Sequence, residues 1–496
     1  MKALACLETE FTSEQPLATR IQKGYKLFRP LISESLFLGL ANYGYDLLNM
    51  YGFYLASRAH RPELEASFGL MIFFNTVLVF GLYYSIDEKI GVATGQAYGA
   101  QDFSKTRKVL RQGFITICLL AVVYFLPVVY FSDHLLISLG IEETNSVEVK
   151  NLLVKLYPVD VARMLNEIML TFSLAQGVNF NYGFYAVINM VVSLLTAILL
   201  DWKFDLGIDA WLAARIVHEM LLTITYVYPF LRLTNPHTIW TPKSVPKKPA
   251  TEPLVLEDSK AVKKAEETED SVFVGYLDFL KDCGNYSISL YSEWLGLEIA
   301  IFFTSQTRNH SQIAAHTAVA NLAYFVVNTG LGFSTVGRVR INMLLGQGLK
   351  QAAKIFFIIF SVGSLCVGAI FSTCLLIFKS QILDIYGGTN EAVREWLQKM
   401  ILWYVLFLPL DFMFPFLFTV CRSTNHILLS SLLNVVLLIC TSSVIDYYLI
   451  HVKSPQATCV ELLVVMYSMI ACIFGALSVK LLKTDWKQIT AILDED

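Results

Sequence analysis

Runs of about 20 predominantly apolar residues recur along this chain and restrict its fold more than any other feature. A helix of that length crosses the ~30 Å hydrocarbon core of a bilayer. The sequence therefore predicts an all-α, multi-pass integral membrane protein with about twelve transmembrane helices. The predicted segments lie near Leu31–Ala56, Ser67–Ile86, Val109–Phe131, Leu152–Ala175, Tyr182–Leu200, Trp211–Leu231, Tyr286–Ser305, Ile313–Thr335, Ile355–Phe378, Trp396–Val420, Ile427–Ile450 and Leu462–Leu482.

The composition agrees with a protein that is surrounded by lipid. Charged residues make up 16% of the chain, whereas a soluble domain carries about a quarter. Aromatic residues reach 13%, which suits a surface where Phe faces lipid and Trp and Tyr lie at the headgroups. The net charge of −3 comes without any basic or RNA-binding motif, so we expect no nucleic-acid partner. None of the nine cysteines has CxxC or metal-ligand spacing, so we expect neither a metal nor a cofactor.

A polar stretch that includes the charge-mixed segment EDSKAVKKAEETED divides the chain near its middle. Gly99 after the second predicted helix and Gly346 after the eighth each precede a basic helix start, so the two halves repeat. An even number of helices in each half makes this a parallel repeat, which is a transporter design. We therefore predict a cytosolic segment 1–30, a six-helix bundle 31–233, a charged linker 234–270, a second six-helix bundle 271–484 and a tail 485–496.

Lysine and arginine are distributed unevenly among the predicted loops. They are concentrated in the N-terminal segment, the even-numbered loops, the linker and the C-terminal tail, and the odd-numbered loops hold far fewer. Because basic residues favour the cytosolic side, we expect both termini and the linker to lie in the cytosol.

Three acids in the second half lie where lipid would otherwise be expected. Glu293 and Glu298 lie five positions apart in the seventh predicted helix, and Asp411 lies between Pro409 and Pro415 in the tenth. An ionisable group at a helix centre costs roughly 2.5–3.5 kcal/mol on insertion scales, so each indicates a functional site. The alternative is that these acids pair with Arg or backbone donors and only fix the packing.

Other polar residues in the predicted helices have structural explanations. Arg215 and Glu219 have the i,i+4 spacing of a salt bridge within one helix, and we expect the charges of the fourth helix to pair mutually. Asn42 and Asn75 either join helices by hydrogen bonds or contact a ligand. No HExxH, GxSxG or Walker lysine supports an enzyme or a nucleotide-driven pump. Uphill transport would therefore depend on an ion gradient.

The chain resembles the multidrug and toxic compound extrusion (MATE) transporters, particularly their eukaryotic branch. The resemblance covers roughly residues 27–487, and four pieces carry most of it: GQAYGAQ, EWLGLE, GFSTVGRVRINMLLGQG and the terminal LKTDWKQ. It implies two six-helix bundles that form a V. It also implies exchange of organic cations or similar toxic compounds for protons or, less often, sodium ions.

The resemblance also assigns site residues. Glu293 and Glu298 fall on the family's paired acids in the seventh helix, Trp294 falls on the adjoining Trp, and Asp411 falls on the acid of the tenth helix. We expect the three acids to bind protons or a cation in turn, because either can neutralise the same carboxylates. Trp294 would offer a cation–π surface to a range of substrates.

Three amides complete the predicted site. Asn42 and Asn75 fall where the family has amides in its first and second helices, and Asn321 stands where eukaryotic members have a Glu. We expect all three to contact substrate. Because Asn321 cannot carry a proton charge, its presence could change the stoichiometry or the cation preference.

The sequence thus predicts a monomeric antiporter in the plasma membrane or a vacuolar or other endomembrane. Two alternatives remain open. A flippase for lipid-linked oligosaccharides would favour a cationic central cavity, whereas the acids here are unmatched. A membrane-embedded enzyme or receptor would not depend on an ion gradient.

Overall fold

A computed structural model of the chain describes residues 17–58, 62–138, 141–178, 180–240, 272–306, 309–387, 391–452 and 458–489. These residues form helices and turns, with no β-strand among them. The twelve long helices of the described ranges are α1 (Leu17–Arg58), α2 (62–99), α3 (Phe103–Tyr130), α4 (Glu143–Ala175), α5 (Tyr182–Phe204), α6 (Ile208–Arg232), α7 (Tyr276–Gln306), α8 (His310–Gly346), α9 (Lys350–Ile377), α10 (Glu391–Ser423), α11 (Ile427–His451) and α12 (Cys459–Lys483).

The long helices confirm the all-α, multi-pass architecture and lengthen most of the predicted segments. α1 begins at Leu17 rather than near Leu31, and α10 ends at Ser423 rather than near Val420. Helices continue past the apolar run because hydrogen bonding along the backbone does not stop at the bilayer surface. Seven of the described helices are long and apolar enough to cross a membrane by length and composition: α3, α5, α8, α9, α10, α11 and α12. α4 and α6 are long enough but carry several ionisable residues.

Contacts between Cα atoms group the chain into two compact units. The early unit contains residues 51–180 and 193–284, and the late unit contains residues 1–50, 181–192 and 285–496. The helices α1, α5 and α7 each contribute residues to both units. The predicted bundle boundaries at 31–233 and 271–484 stay a prediction.

The late unit is built around α10, which contains Pro409 and Pro415. Phe412 is fully buried and packs against Phe333 of α8, with 5.1 Å between ring centroids. On the neighbouring helix α9, position 368 is a glycine. A Cβ added at Gly368 would lie 2.8 Å from the Cα of Pro409. Absence of this side chain lets α9 approach the backbone of α10 closely. α10 is therefore held on several sides, which fixes the position of the acid it carries.

Within the late unit, the first part of α1 crosses α8 closely. A Cβ at Gly39 would lie 2.6 Å from the Cα of Thr329, so only glycine fits at this crossing. Two polar contacts join the same helices. Asn328 Nδ2 donates to Asp46 Oδ2 at 2.6 Å, and Arg340 lies 3.5 Å from Glu34.

The early unit has an apolar core around Phe68 and Trp211, whose rings meet edge to face at 4.9 Å. The core also includes Leu152, Leu153 and Leu156 of α4. Further along α4, towards its carboxyl end, Asp160 and Arg163 are buried. Because lipid offers no hydrogen bonds, these buried charges need partners within the protein.

Candidate functional site

The Asp411 carboxylate lies in a small cavity in the late unit. The side chain is only 3% exposed, although α10 is mostly apolar around it. The cavity has a volume of about 40 Å³, which is enough for one or a few water molecules. Besides Asp411, it is lined by residues of α8 and α12: His316, Val319, Ala320, Ala323, Tyr324, Val327, Leu463, Met466 and Tyr467.

Two tyrosines donate hydrogen bonds to the same oxygen of Asp411. The hydroxyls of Tyr404 and Tyr467 each lie 3.4 Å from Asp411 Oδ2. Tyr404 lies two turns before Asp411 on the same face of α10, and Tyr467 comes from α12. Their rings pack with centroids 5.5 Å apart, and Phe407 stacks on Tyr467 at 5.6 Å. Aromatic packing thus sets the positions of both hydroxyls around the carboxylate.

A buried histidine completes the cavity. His316 of α8 is 2% exposed, and its Nδ1 lies 2.5 Å from Thr304 Oγ1 of α7. The cavity therefore contains two groups that can exchange protons, the Asp411 carboxyl and the His316 imidazole, together with two phenolic hydroxyls. Most of the remaining lining is apolar. The site is suited to binding a proton or a small cation in a largely apolar environment.

The early unit contains a different arrangement, in which buried charges meet across helices. Asn75 Nδ2 of α2 donates to Asp160 Oδ2 of α4 at 2.9 Å, and Asp160 Oδ1 lies 3.7 Å from the guanidinium of Arg215 of α6. All three side chains are buried. Asn75 thus joins helices, as one of its two sequence interpretations predicted.

Arg163 and Glu219 are also contacted from neighbouring helices. Arg163 donates to the hydroxyl of Tyr84 at 2.7 Å and lies 4.4 Å from the ring centroid of Phe80. Asn166 Nδ2 donates to Glu219 Oε2 at 3.0 Å. The hydrogen bonds described for Arg163 and Glu219 run between α2, α4 and α6, and the predicted pairing of Arg215 with Glu219 within α6 stays a prediction. Because the helices pack side by side here, a buried charged side chain can reach a partner on the neighbouring helix as readily as one a turn away on its own helix.

The remaining predicted residues occupy separate positions. Glu293, Trp294 and Glu298 are part of α7, but their side chains lie outside the described residues. Asn321 of α8 is exposed beside the cavity-lining Ala320, and Asn42 of α1 is exposed as well. Their roles stay predictions.

Sequence reasoning missed Tyr404, which donates to Asp411, and two residues that line the cavity. The seven-residue spacing of Tyr404 and Asp411 would have identified Tyr404 as a neighbour on the same helix face. No local signal identifies Tyr467 or His316, because they reach Asp411 from other helices. Among the residues that the structure describes, no group of three or more His, Cys, Asp or Glu side chains could hold a metal ion.

Comparison with known proteins places this site in a transporter family. The model of the MatE family matches residues 66–202 and 286–448, which is well over half of the chain. No curated protein sequence matches the chain.

Solved structures with low sequence identity share the fold. The eukaryotic MATE transporter AtDTX14 has a TM-score of 0.74 and 14% identity, over 95% of this chain and 98% of that chain. A mutant of the Vibrio cholerae MATE transporter VcmN has a TM-score of 0.72 and 14% identity, over 95% and 99%. A MOP superfamily transporter from Pyrococcus furiosus has a TM-score of 0.74 and 12% identity, over 94% and 97%. With the family match, the chain belongs to the MatE family, as the sequence resemblance predicted, and is an integral membrane transporter rather than an enzyme.

Proposed function

We propose that this transporter exports organic cations or related toxic compounds in exchange for protons, with Asp411 as a proton-binding residue. The buried Asp411 carboxylate, held by two neutral hydroxyls in a small cavity, is the observation that carries the proposal. Burial favours the neutral form of a carboxyl, whereas the hydroxyl donors favour the charged form. The two effects oppose each other, so occupancy by a proton can respond to a modest gradient.

The size of the cavity separates the roles of proton and substrate. At about 40 Å³ it admits water or a small ion, but no organic cation. We infer that the proton binds Asp411 directly and that the organic cation binds near Trp294, where an aromatic face and the predicted acids Glu293 and Glu298 would attract it. Asn321, exposed beside the cavity, and Asn42 would contribute neutral contacts to the substrate. Proton and cation then compete through their charge, because binding of either one lowers the affinity of the protein for the other.

The lining also favours protons over sodium ions as the coupling ion. A sodium ion needs several oxygen ligands to replace its hydration shell, whereas a proton needs one carboxylate. Tyr404 and Tyr467 donate phenolic hydroxyls to Asp411, and the cavity is otherwise lined by Tyr324, His316 and mainly apolar groups such as Val319, Leu463 and Met466. A flippase for lipid-linked oligosaccharides is less well supported, because it would favour a cationic cavity.

We also propose that the protein works as a monomer in the plasma membrane or a vacuolar or other endomembrane, with both termini in the cytosol. The distribution of basic residues supports this orientation. Cysteines placed at Glu266 in the linker and at Asn309 before α8 should be labelled from the cytosolic and exterior sides respectively. Labelling of position 266 from outside would reverse the orientation.

Transport in proteoliposomes tests the function directly. A fluorescent organic cation should accumulate in vesicles of the wild-type protein under an imposed pH gradient, and a sodium gradient alone should drive nothing. Asp411→Asn should reduce accumulation to background. The matched control is Asp384→Asn, because Asp384 is an exposed acid that pairs with Arg394. Sodium-driven accumulation would contradict proton coupling, and wild-type rates from Asp411→Asn would contradict the site.

A further inference from the structure

One face of α11 is buried and unusually polar for a membrane-spanning helix. Apart from Ser431, its buried residues recur at intervals of four, and the opposite face includes the exposed Val444 and Tyr448. A π-helical segment, Asn434–Thr441, lies in the middle of the run. A π-helical turn takes more residues than an α-helical turn, so the interval of four stays on one face. The buried residues of this stripe are Ser430, Asn434, Leu438, Ser442, Asp446 and Ile450.

Asp446 differs from every other member of the stripe, because it is ionisable. It is fully buried, and neither of its carboxylate oxygens has a hydrogen-bond partner among the described residues. The Ser442 hydroxyl, one turn away, donates to the carbonyl of Leu438 and not to Asp446. The polar atoms of Asn434 also have no partner in the part of the chain that the structure describes. The two serines of the stripe donate to backbone carbonyls, whereas the side chains of Asn434 and Asp446 have no partner among the described residues.

An apolar cluster lies one turn after Asp446 on the same face of α11. In this cluster, Ile450 packs against Phe303 of α7 and Leu462 of α12, with Ile299 and Leu449 at the edge. Among the described residues, no charged group contributes an electrostatic interaction to Asp446. An ionised carboxylate in such a place would carry a large desolvation cost.

The ionisable groups of α11 and α12 that the structure describes, apart from Asp446 itself and the cysteines, have other partners, are exposed or lie at a helix end. On α12, Glu461 caps the start of the helix at Thr458, the Tyr467 hydroxyl donates to Asp411, and Lys480 and Lys483 lie in the last turn. On α11, Tyr447, Tyr448 and His451 are exposed. The remaining ionisable groups of the three packed helices α7, α11 and α12 are Cys459, Cys472, Cys440, Tyr276, Asp278, Lys281, Asp282, Cys283, Tyr286, Tyr291, Glu293 and Glu298, of which the last two have side chains outside the described residues.

We propose that Asp446 is a second proton-binding residue of the late unit, protonated in the arrangement described here and able to release its proton when water reaches it in another. The proposal rests on the proton coupling proposed above and adds a site to it. A proton is the ligand that fits, because a metal cation would need several oxygens and neither carboxylate oxygen has a hydrogen-bond partner among the described residues. α12 links the two acids: Leu462 packs beside Ile450, and the next residue, Leu463, lines the Asp411 cavity.

Infrared spectroscopy of the purified full-length protein in lipid tests protonation without requiring transport. The C=O stretching band of a protonated carboxyl should contain a component that Asp446→Asn removes and that Asn434→Ala, a buried but non-ionisable member of the same stripe, retains. Raising the pH in the presence of the probe cation tetraphenylphosphonium should abolish this component in the wild type. A component that persists at every pH at which the protein stays folded would make Asp446 a permanently neutral packing residue and overturn the proposal.

The proton-to-cation ratio in proteoliposomes is the second measurement. Asp446→Asn should transport tetraphenylphosphonium with one proton fewer per cation than wild type and Asn434→Ala. An unchanged ratio would overturn the proposal. If Asp446→Asn does not fold, Asp446→Glu should fold and retain the wild-type ratio, and the infrared titration of wild type still decides. If the wild type shows no proton-driven transport, the proposed function fails while the infrared result stands by itself.

Discussion

The two compact units treat buried charge in opposite ways. In the early unit Asp160 faces the guanidinium of Arg215 and accepts a hydrogen bond from Asn75, so charge meets charge. In the late unit Asp411 accepts hydrogen bonds from two neutral tyrosines, and Asp446 has no hydrogen-bond partner among the described residues. Acids at similar depth of burial thus have different partners in the two units.

The difference separates a structural role from a titrating one. A carboxylate beside a buried guanidinium stays charged, because protonation would leave the cation without its counter-charge. A carboxylate among hydroxyls and apolar groups can gain a proton without leaving a buried cation uncompensated. The early unit should therefore depend on its charges for stability, and the late unit should depend on its acids for transport.

Removal of Arg215 should have the largest effect on stability. Arg215→Met leaves the Asp160 carboxylate buried opposite an apolar chain, and breaking a buried pair in this way costs about 3–5 kcal/mol. Denaturant unfolding in detergent measures the loss. The double variant Arg215→Met, Asp160→Asn should be more stable than Arg215→Met alone, because both charges are gone. A loss below about 1 kcal/mol for Arg215→Met would show that the pair contributes no more than a surface pair.

Removal of one hydroxyl from the Asp411 cavity should change the pH dependence of transport. Tyr467 donates to Asp411 and so favours the charged carboxylate. Without that hydroxyl the proton binds more readily, so Tyr467→Phe should move the pH midpoint of exchange upward. A hydrogen bond contributes about 0.5–1.5 kcal/mol and one pH unit equals about 1.36 kcal/mol, so the shift should be about one unit or less.

The exposed Tyr447 supplies the control for this measurement. Tyr447→Phe likewise removes one phenolic hydroxyl, but from an exposed position on α11 that does not line the cavity. The pH midpoint of exchange should therefore stay unchanged. A downward shift for Tyr467→Phe would mean that the hydroxyl favours the protonated acid instead.

Neutralising Asp411 should change stability less than neutralising Arg215, although it stops transport. Asp411→Asn keeps the shape of the side chain and an oxygen that can accept from Tyr404 and Tyr467. The free energy of unfolding should therefore change by about 1 kcal/mol or less, the scale of a single hydrogen bond. A loss as large as that of Arg215→Met would show that Asp411 is a structural residue and would remove the contrast between the units.

An exposed ion pair of the early unit should show the smallest effect. Lys155 Nζ lies 2.9 Å from Asp209 Oδ1, and both side chains are about half exposed. Water screens such a pair, so Lys155→Ala should cost about 0.2–1 kcal/mol in unfolding measurements. A cost near that of Arg215→Met would indicate that the distinction between buried and exposed pairs does not hold in this unit.

Local features of the sequence predicted the helices and one acid of the candidate site. An apolar run of about 20 residues specifies a spanning helix wherever it occurs, and Asp411 between two prolines was conspicuous in such a run. Asp46 and Asp446 were not singled out, because their significance depends on what surrounds them. Asp46 meets Asn328, which lies 282 positions away, and Asp446 is notable only because it is buried without a hydrogen-bond partner in the part of the chain that the structure describes.

The sequence by itself determined that this chain crosses the membrane many times as helices and belongs to the MatE family, because apolar length and short motifs are local properties. Only the tertiary structure decided which buried charges are compensated. Arg215 lies near Asp160, which is 55 positions away in the chain. Tyr467 donates to Asp411, which is 56 positions away. Such partners are brought together by helix packing, which depends on the side chains of all the neighbouring helices at once.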